Sequence, residues 1–244
     1  MGLTTESGAT RFARYAFPPN ELGYCGPDEA SVLLQHAMDG RATVEVAARA
    51  PQFEGAWAYL SAISDATGLE PLDPLVVEAY WVGNDLLGKV DPHALLEGLR
   101  CRFRTQTGGM LSRVDPSPDV LANHAFHVFA VYPWASRLGG SSDVPRSVLD
   151  ACRIRWGTVE SVDREQALVV SQPLEWDGSR LRLGAPRTET VRWSTEGLSL
   201  AATPVTGCVV SMHWDWICER LTPDRTDALA DSTVHALDMV NAIL

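Results

Sequence analysis

The stretch Cys152-Arg-Ile-Arg-Trp-Gly-Thr-Val-Glu-Ser-Val-Asp163 decides the fold class, because the texture of the chain changes there. Downstream of Cys152, Arg153–Val162, Ala167–Ser171, Thr188–Trp193 and Val209–His213 are short β-rich segments. Turn signals such as Trp176-Asp-Gly-Ser179 and Glu196-Gly197 separate them. Short strands at regular spacing with turns between them predict a small barrel. Thr222-Pro-Asp then opens a final helix running to about Ile243.

Upstream, the pattern is mainly helical. Phe17-Pro-Pro-Asn-Glu-Leu-Gly-Tyr-Cys-Gly-Pro27 carries too much Pro and Gly for a regular element and reads as a turn-rich opening segment. Pro27-Asp-Glu29 suits a first helical turn. Thr43–Ala50 reads as a short helix, and Phe53–Ala66 spaces Phe53, Trp57, Leu60 and Ile63 along one face. Asp73-Pro74 opens a helix expected to end near Gly88, and Asp91-Pro92 opens another through Phe103. Gly108–Pro118 and Arg137–Asp143 read as loops, and Pro145–Ala151 as a short helix. Asn123–Tyr132 fits strand or helix. The expected architecture is α+β, with a mainly helical region over residues 1–146 and a small barrel with a closing helix over 147–244.

Composition narrows the function classes. The 244 residues carry a net charge of −11, which repels phosphate backbones and argues against nucleic-acid binding. No apolar run approaches the roughly 20 residues of a membrane-spanning helix, and the N-terminus lacks the apolar stretch of a secretory signal. A cytoplasmic protein is expected. The basic residues are Arg except for Lys89, so imine catalysis by the protein would have that lysine alone. Five cysteines without a C-x-x-C pair argue against a disulfide framework and a simple structural zinc site.

The C-terminal third resembles the HypC-type hydrogenase maturation chaperones, which are small barrels followed by a helix. Their opening Cys, a Gly five residues on, and a strand of the form G-x-V-x-x-(I/V)-(D/E) match Cys152…Gly157-Thr-Val159-Glu-Ser-Val162-Asp163. Their closing motif, G-D-Y-V-L-V-H-x-G-F-A-I, aligns with Gly207-Cys-Val-Val-Ser-Met-His213-Trp-Asp-Trp-Ile217-Cys218. The resemblance implies metal handling by Cys152 and His213. It also implies an iron centre bearing cyanide and carbon monoxide, a HypD-like protein and a hydrogenase large-subunit precursor as partners. An internal Cys152, Trp156, Cys208, Asp215 and Trp216 depart from that pattern. The whole chain, through PPNELGYCGP, HAFHVFAVYPW and HWDWIC, also looks like members of an uncharacterised bacterial family.

Read from the residues, other chemistry stays open. In a strand, His213 and Asp215 point the same way, and a carboxylate beside an imidazole makes a usable general base. Trp214, Trp216 and Trp81 are candidate walls of an aromatic pocket. Glu78, one helical turn from Trp81, is a candidate acid, and His124 a further proton carrier. Together these suit a small-molecule enzyme of specialised metabolism acting on a small aromatic substrate, such as a Pictet–Spengler-type condensation of an aromatic amine with an aldehyde. On a helix His124 and His127 share a face and could ligate a metal. Cys25 ahead of a helix start would have a thiol favoured as thiolate. Arg100, Arg102 and Arg104 read as a solvated face.

Overall fold

The computed structural model describes residues 7–39, 44–106 and 108–244. Its helices are α1 (Gly8–Glu21), α2 (Ser31–Asp39), α3 (Val44–Arg49), α4 (Glu54–Thr67), α5 (Pro74–Trp81), α6 (Pro92–Arg102), α7 (His124–Phe126), α8 (Val144–Cys152) and α9 (Pro223–Asn241). Several begin as their sequence dictates. Asp73, Asp91 and Thr222 each cap the first turn through a side-chain oxygen, with Pro next, where its missing N–H costs nothing. Thr43, the expected start of α3, lies outside the described residues.

Three expectations upstream need correction. α1 runs straight through Pro18 and Pro19 instead of leaving Phe17–Pro27 irregular. Both prolines fall in its last turns, and Phe12, Ala13, Tyr15 and Ala16 are fully buried, so packing holds the helix that propensity would break. α2 starts at Ser31, not Pro27, because Glu29 takes a left-handed conformation at φ 69°. The helix expected to reach Gly88 stops at Trp81, and a 3-10 turn over Asp85–Lys89 follows. The ambiguous Asn123–Tyr132 segment is helical: Asn123 caps α7, which passes directly into a π-helical turn, His127–Val131.

The C-terminal part is a sheet with a closing helix, as expected. Its strands are β1 (Arg155–Asp163), β2 (Gln166–Ser171), β3 (Leu174–Trp176), β4 (Leu181–Leu183), β5 (Arg187–Arg192), β6 (Ser194–Thr195), β7 (Leu198–Ser199), β8 (Val209–His213) and β9 (Trp216–Arg220). Five of them close into a ring in the order β1-β2-β5-β9-β8. The closure is antiparallel except between β5 and β9, where Arg192 pairs with Trp216 in parallel. Val159, Ala167, Val169, Val191, Val210, Met212 and Ile217 fill its interior. Gly157 is glycine for a physical reason: a Cβ there would stand 2.4 Å from the Val170 carbonyl oxygen on β2.

A second, larger core runs from Phe12, Tyr59 and Tyr80 through Leu149 and Cys152 to Trp216, Leu229 and Val240. It joins the helices, one end of the ring and α9. The boundary drawn at 146/147 falls inside α8, which belongs to this shared core. No helix of the described residues is long and apolar enough to cross a membrane.

Candidate functional site

Where the ring meets the helices, a cavity of about 230 Å³ opens. The barrel side supplies Cys152, His213 and Trp214; the helical side supplies Cys25, Tyr80, Trp81, His124, His127 and Tyr132. His124, Cys152 and His213 each offer a donor atom, and the three atoms lie within 4.8 Å of one another. All three residues are buried.

Arg155 places the barrel pair. Its guanidinium donates to the carbonyls of Asp150 (3.1 Å) and Ala151 (3.2 Å) at the end of α8, and to that of Trp214 (2.6 Å). It also pairs with Glu189 at 3.0 Å. The Trp214 N–H returns a bond to the Ala151 carbonyl at 2.8 Å. Cys152, last residue of α8, is thereby clamped against His213, last residue of β8.

His213 is fully buried. Its Nδ1 lies 2.7 Å from the Tyr15 carbonyl oxygen. A carbonyl only accepts, so Nδ1 carries the proton and Nε2 the lone pair. That Nε2 is buried and makes no hydrogen bond of ordinary geometry, with the Cys152 backbone close enough to act on the ring's pKa. Burial, with His124 close by, pushes the imidazole pKa well below its ordinary value, so the ring is neutral. The carbonyl is available because of Pro19. Residue 19 stands four after Tyr15 in α1, and a proline there has no N–H to complete the helical bond.

His124 is held on both sides. Nε2 donates to the Cys152 carbonyl at 2.8 Å, and Nδ1 accepts from the Tyr80 hydroxyl at 3.1 Å. A phenolic hydroxyl accepts as readily as it donates. Ligation through His124 Nε2 would need its proton to move to Nδ1, which reverses the Tyr80 bond, and the ring to turn off the Cys152 carbonyl. Burial lowers the His124 pKa to about 4 and, with His124 beside it, that of His127 to about 3. Burial pushes the Cys152 thiol up, so it is protonated when nothing is bound. Cys25 does not precede a helix start closely, and burial raises it to about 12, the reverse of the thiolate expected for it.

The other expected site residues are dispersed. Asp215 does not share a strand face with His213, because β8 ends at His213 and a turn follows, with Trp214 at φ 53°. Its half-exposed carboxylate pairs with Arg192 at 2.7 Å. Glu78 faces Arg11 (2.8 Å) and Arg225 behind α5, away from the cavity. Trp81 and Trp214 line the cavity, but Trp216 does not: it is buried against Phe17 and donates to Glu21. Arg100 ties down the loop carbonyls of Leu111 and Val114. Sequence reading missed Tyr15, whose role is a backbone oxygen, and Tyr80, whose partner is set by tertiary contact. Pro19 was the one visible signal, since each helical proline frees a carbonyl four residues back.

Compared with known proteins, the model of one family matches residues 4–244. The chain belongs to DUF6390, a family of unknown function. That agrees with the resemblance of the whole chain to an uncharacterised family. No curated protein and no solved structure matches it, so nothing in these comparisons supports the HypC resemblance. Membership in DUF6390 assigns no chemistry.

Proposed function

We propose that the protein holds a thiolate-ligated metal centre in this cavity, and that the centre is iron handled for assembly elsewhere, in the manner of a HypC-like accessory protein. The buried His124–Cys152–His213 cluster, with the unpartnered Nε2 of His213 in it, carries the reading. A buried neutral imidazole whose Nδ1–H is fixed by a carbonyl is how a histidine ligand is ordinarily oriented. A soft thiolate beside it suits iron or another late transition metal. Cys152 and His213 are also the two residues that align with the HypC motif.

The size of the cavity separates this reading from its rival. Sites for drug-sized ligands span roughly 300–1,000 Å³. About 230 Å³ is smaller than that, yet far larger than the ~30 Å³ share of one water. It suits a metal with small ligands of its own better than an aromatic amine plus an aldehyde. The indole N–H groups of Trp81 and Trp214, both on the cavity wall, have no hydrogen-bond partner and are donors for the far atom of such a ligand. The condensation enzyme, by contrast, loses its acid–base partners, since Asp215 and Glu78 pair with arginines outside the cavity. His213 and His124 remain together in the cavity, but neither keeps a carboxylate partner there.

Within this reading, His213 and His124 bind and Tyr80 follows the His124 proton. Cys152 releases its proton as it ligates, and the aromatic wall excludes water. The bound iron would supply affinity for cyanide and carbon monoxide. Purification without oxygen, followed by iron analysis and an infrared scan for cyanide and carbonyl stretches, tests the proposal. Iron with those bands in the wild type and neither in Cys152→Ala is expected. A metal-free wild type that takes up no ferrous ion on reconstitution overturns it, and aromatic amines with aldehydes then become the substrates to screen against His213→Ala.

A further inference from the structure

The turn between α1 and α2 brings a second sulfur to the same cavity. Cys25 lines it on the wall that the helical region supplies, outside the cluster of His124, Cys152 and His213. Its position is built rather than incidental. Asn20 Nδ2 donates to the carbonyls of Cys25 and Pro27 at 2.8 and 2.7 Å, which fixes the turn on both sides of the thiol. The Tyr24 N–H donates to the Pro19 carbonyl at 2.8 Å. The Tyr24 ring stacks on Trp214, centroids 4.3 Å apart, which ties the turn to the barrel next to His213. Cys25 lines the same cavity as Cys152, Tyr80 and Tyr132. The cluster it faces has three donors, one of them the fully buried, unpartnered Nε2 of His213.

We propose that Cys25 is a second thiolate ligand of the centre held by His124, Cys152 and His213. The inference rests on the metal-binding reading above. Each half of the molecule then contributes one sulfur and one imidazole: Cys25 and His124 from the helical region, Cys152 and His213 from the segment that opens the barrel and from β8. A donor set divided this way cannot be assembled by the barrel alone, and metal binding fastens the α1–α2 turn to it. Both thiols are neutral without metal. Each Sγ that bonds to the metal therefore breaks its S–H bond and gives one proton to solvent.

Anaerobic titration of the full chain with cobalt(II) near neutral pH tests this. Proton release, the thiolate-to-cobalt charge-transfer band and protection from iodoacetamide are read together. The wild type is expected to release two protons per cobalt, one for each thiolate, and to shield Cys25 while exposed Cys101 stays reactive as the internal control. Cys25→Ser is expected to release one proton and to lose about half of the band. Protection of Cys25 in the wild type needs no variant and stands if Cys25→Ser folds poorly. One proton per cobalt, with Cys25 alkylated at its metal-free rate, overturns this assignment and leaves the His124–Cys152–His213 reading intact. No cobalt binding at all overturns both.

Discussion

Pro19 has no N–H to return to the carbonyl four residues back, and that carbonyl belongs to Tyr15, the hydrogen-bond partner of His213 Nδ1. One missing hydrogen thereby sets which nitrogen of a distant imidazole carries its lone pair. Pro19→Ala restores the helical donor and makes it compete with His213 for Tyr15. The imidazole is then free to place its proton on either nitrogen. Metal affinity is expected to fall about 10-fold, the lower range for loss of a partner that orients a ligand. Cobalt titration of the variant measures this, and an unchanged affinity would mean that other contacts hold the ring. Cys152 and His213 were singled out by the resemblance of the C-terminal third to a family motif, and the structure brings the two side by side. His124 was legible as a residue of chemistry but not as the neighbour of Cys152, which depends on a helix docking onto a strand end. Tyr15 acts through a backbone oxygen that any side chain would present, so only its proline pointed to it.

At the scale of elements, Gly83 explains why α5 ends where it does. It takes φ +103°, and a Cβ there would lie 2.4 Å from the Ser232 hydroxyl and 3.1 Å from the Ala228 carbonyl of α9. The helix stops so that α9 can pass within backbone contact, and this leaves Trp81 at the end of α5 against His124 and His213, with ring centroids 4.7 and 5.7 Å away. Gly83→Ala is expected to cost about 1–3 kcal/mol from backbone strain, more if α9 cannot yield. A thermal melt reads the loss, and a variant melting with the wild type would show that the two helices are loosely joined. Helices that begin with Asp-Pro or Thr-Pro were legible because a cap is local chemistry. The end of α5 was not, since apolar periodicity continues through Leu86 and Leu87 and the reason to stop lies on another helix. β9 was obscured for a similar reason: HWDWIC alternates like one strand, but β8 ends at His213 and β9 begins at Trp216.

Across the whole molecule, the helices and the ring are joined at two buried polar places. Behind α5, Arg11 and Arg225 face Glu78 and Glu219, and the Tyr15 hydroxyl donates to Glu219 at 2.7 Å. In front of it, the cavity gathers three neutral histidines. The second group makes the fold sensitive to mild acid. Burial holds His124 at about 4 and His127 at about 3, and lowers His213 as well, whereas an unfolded chain protonates its histidines near the ordinary ~6.5. Below that value the unfolded state binds more protons, so stability falls as pH falls. Each histidine removes about 1.4 kcal/mol per pH unit until its folded pKa is reached. The contribution is complete above pH ~6.5 and is lost progressively toward pH ~4 for His124 and ~3 for His127. Carboxylates ordinarily titrate near ~4, so a decline that begins near pH ~6 belongs to the histidines. The urea midpoint of the metal-free protein is expected to be level above neutrality and to drop steeply from pH ~6.5 to ~5. His127→Gln is expected to shallow that slope by about 1.4 kcal/mol per pH unit. Bound metal competes with protons for His124 and His213, so loading with cobalt is expected to move the onset to lower pH. A midpoint that stays level down to pH ~5 would mean that water reaches the cavity histidines, contrary to their burial.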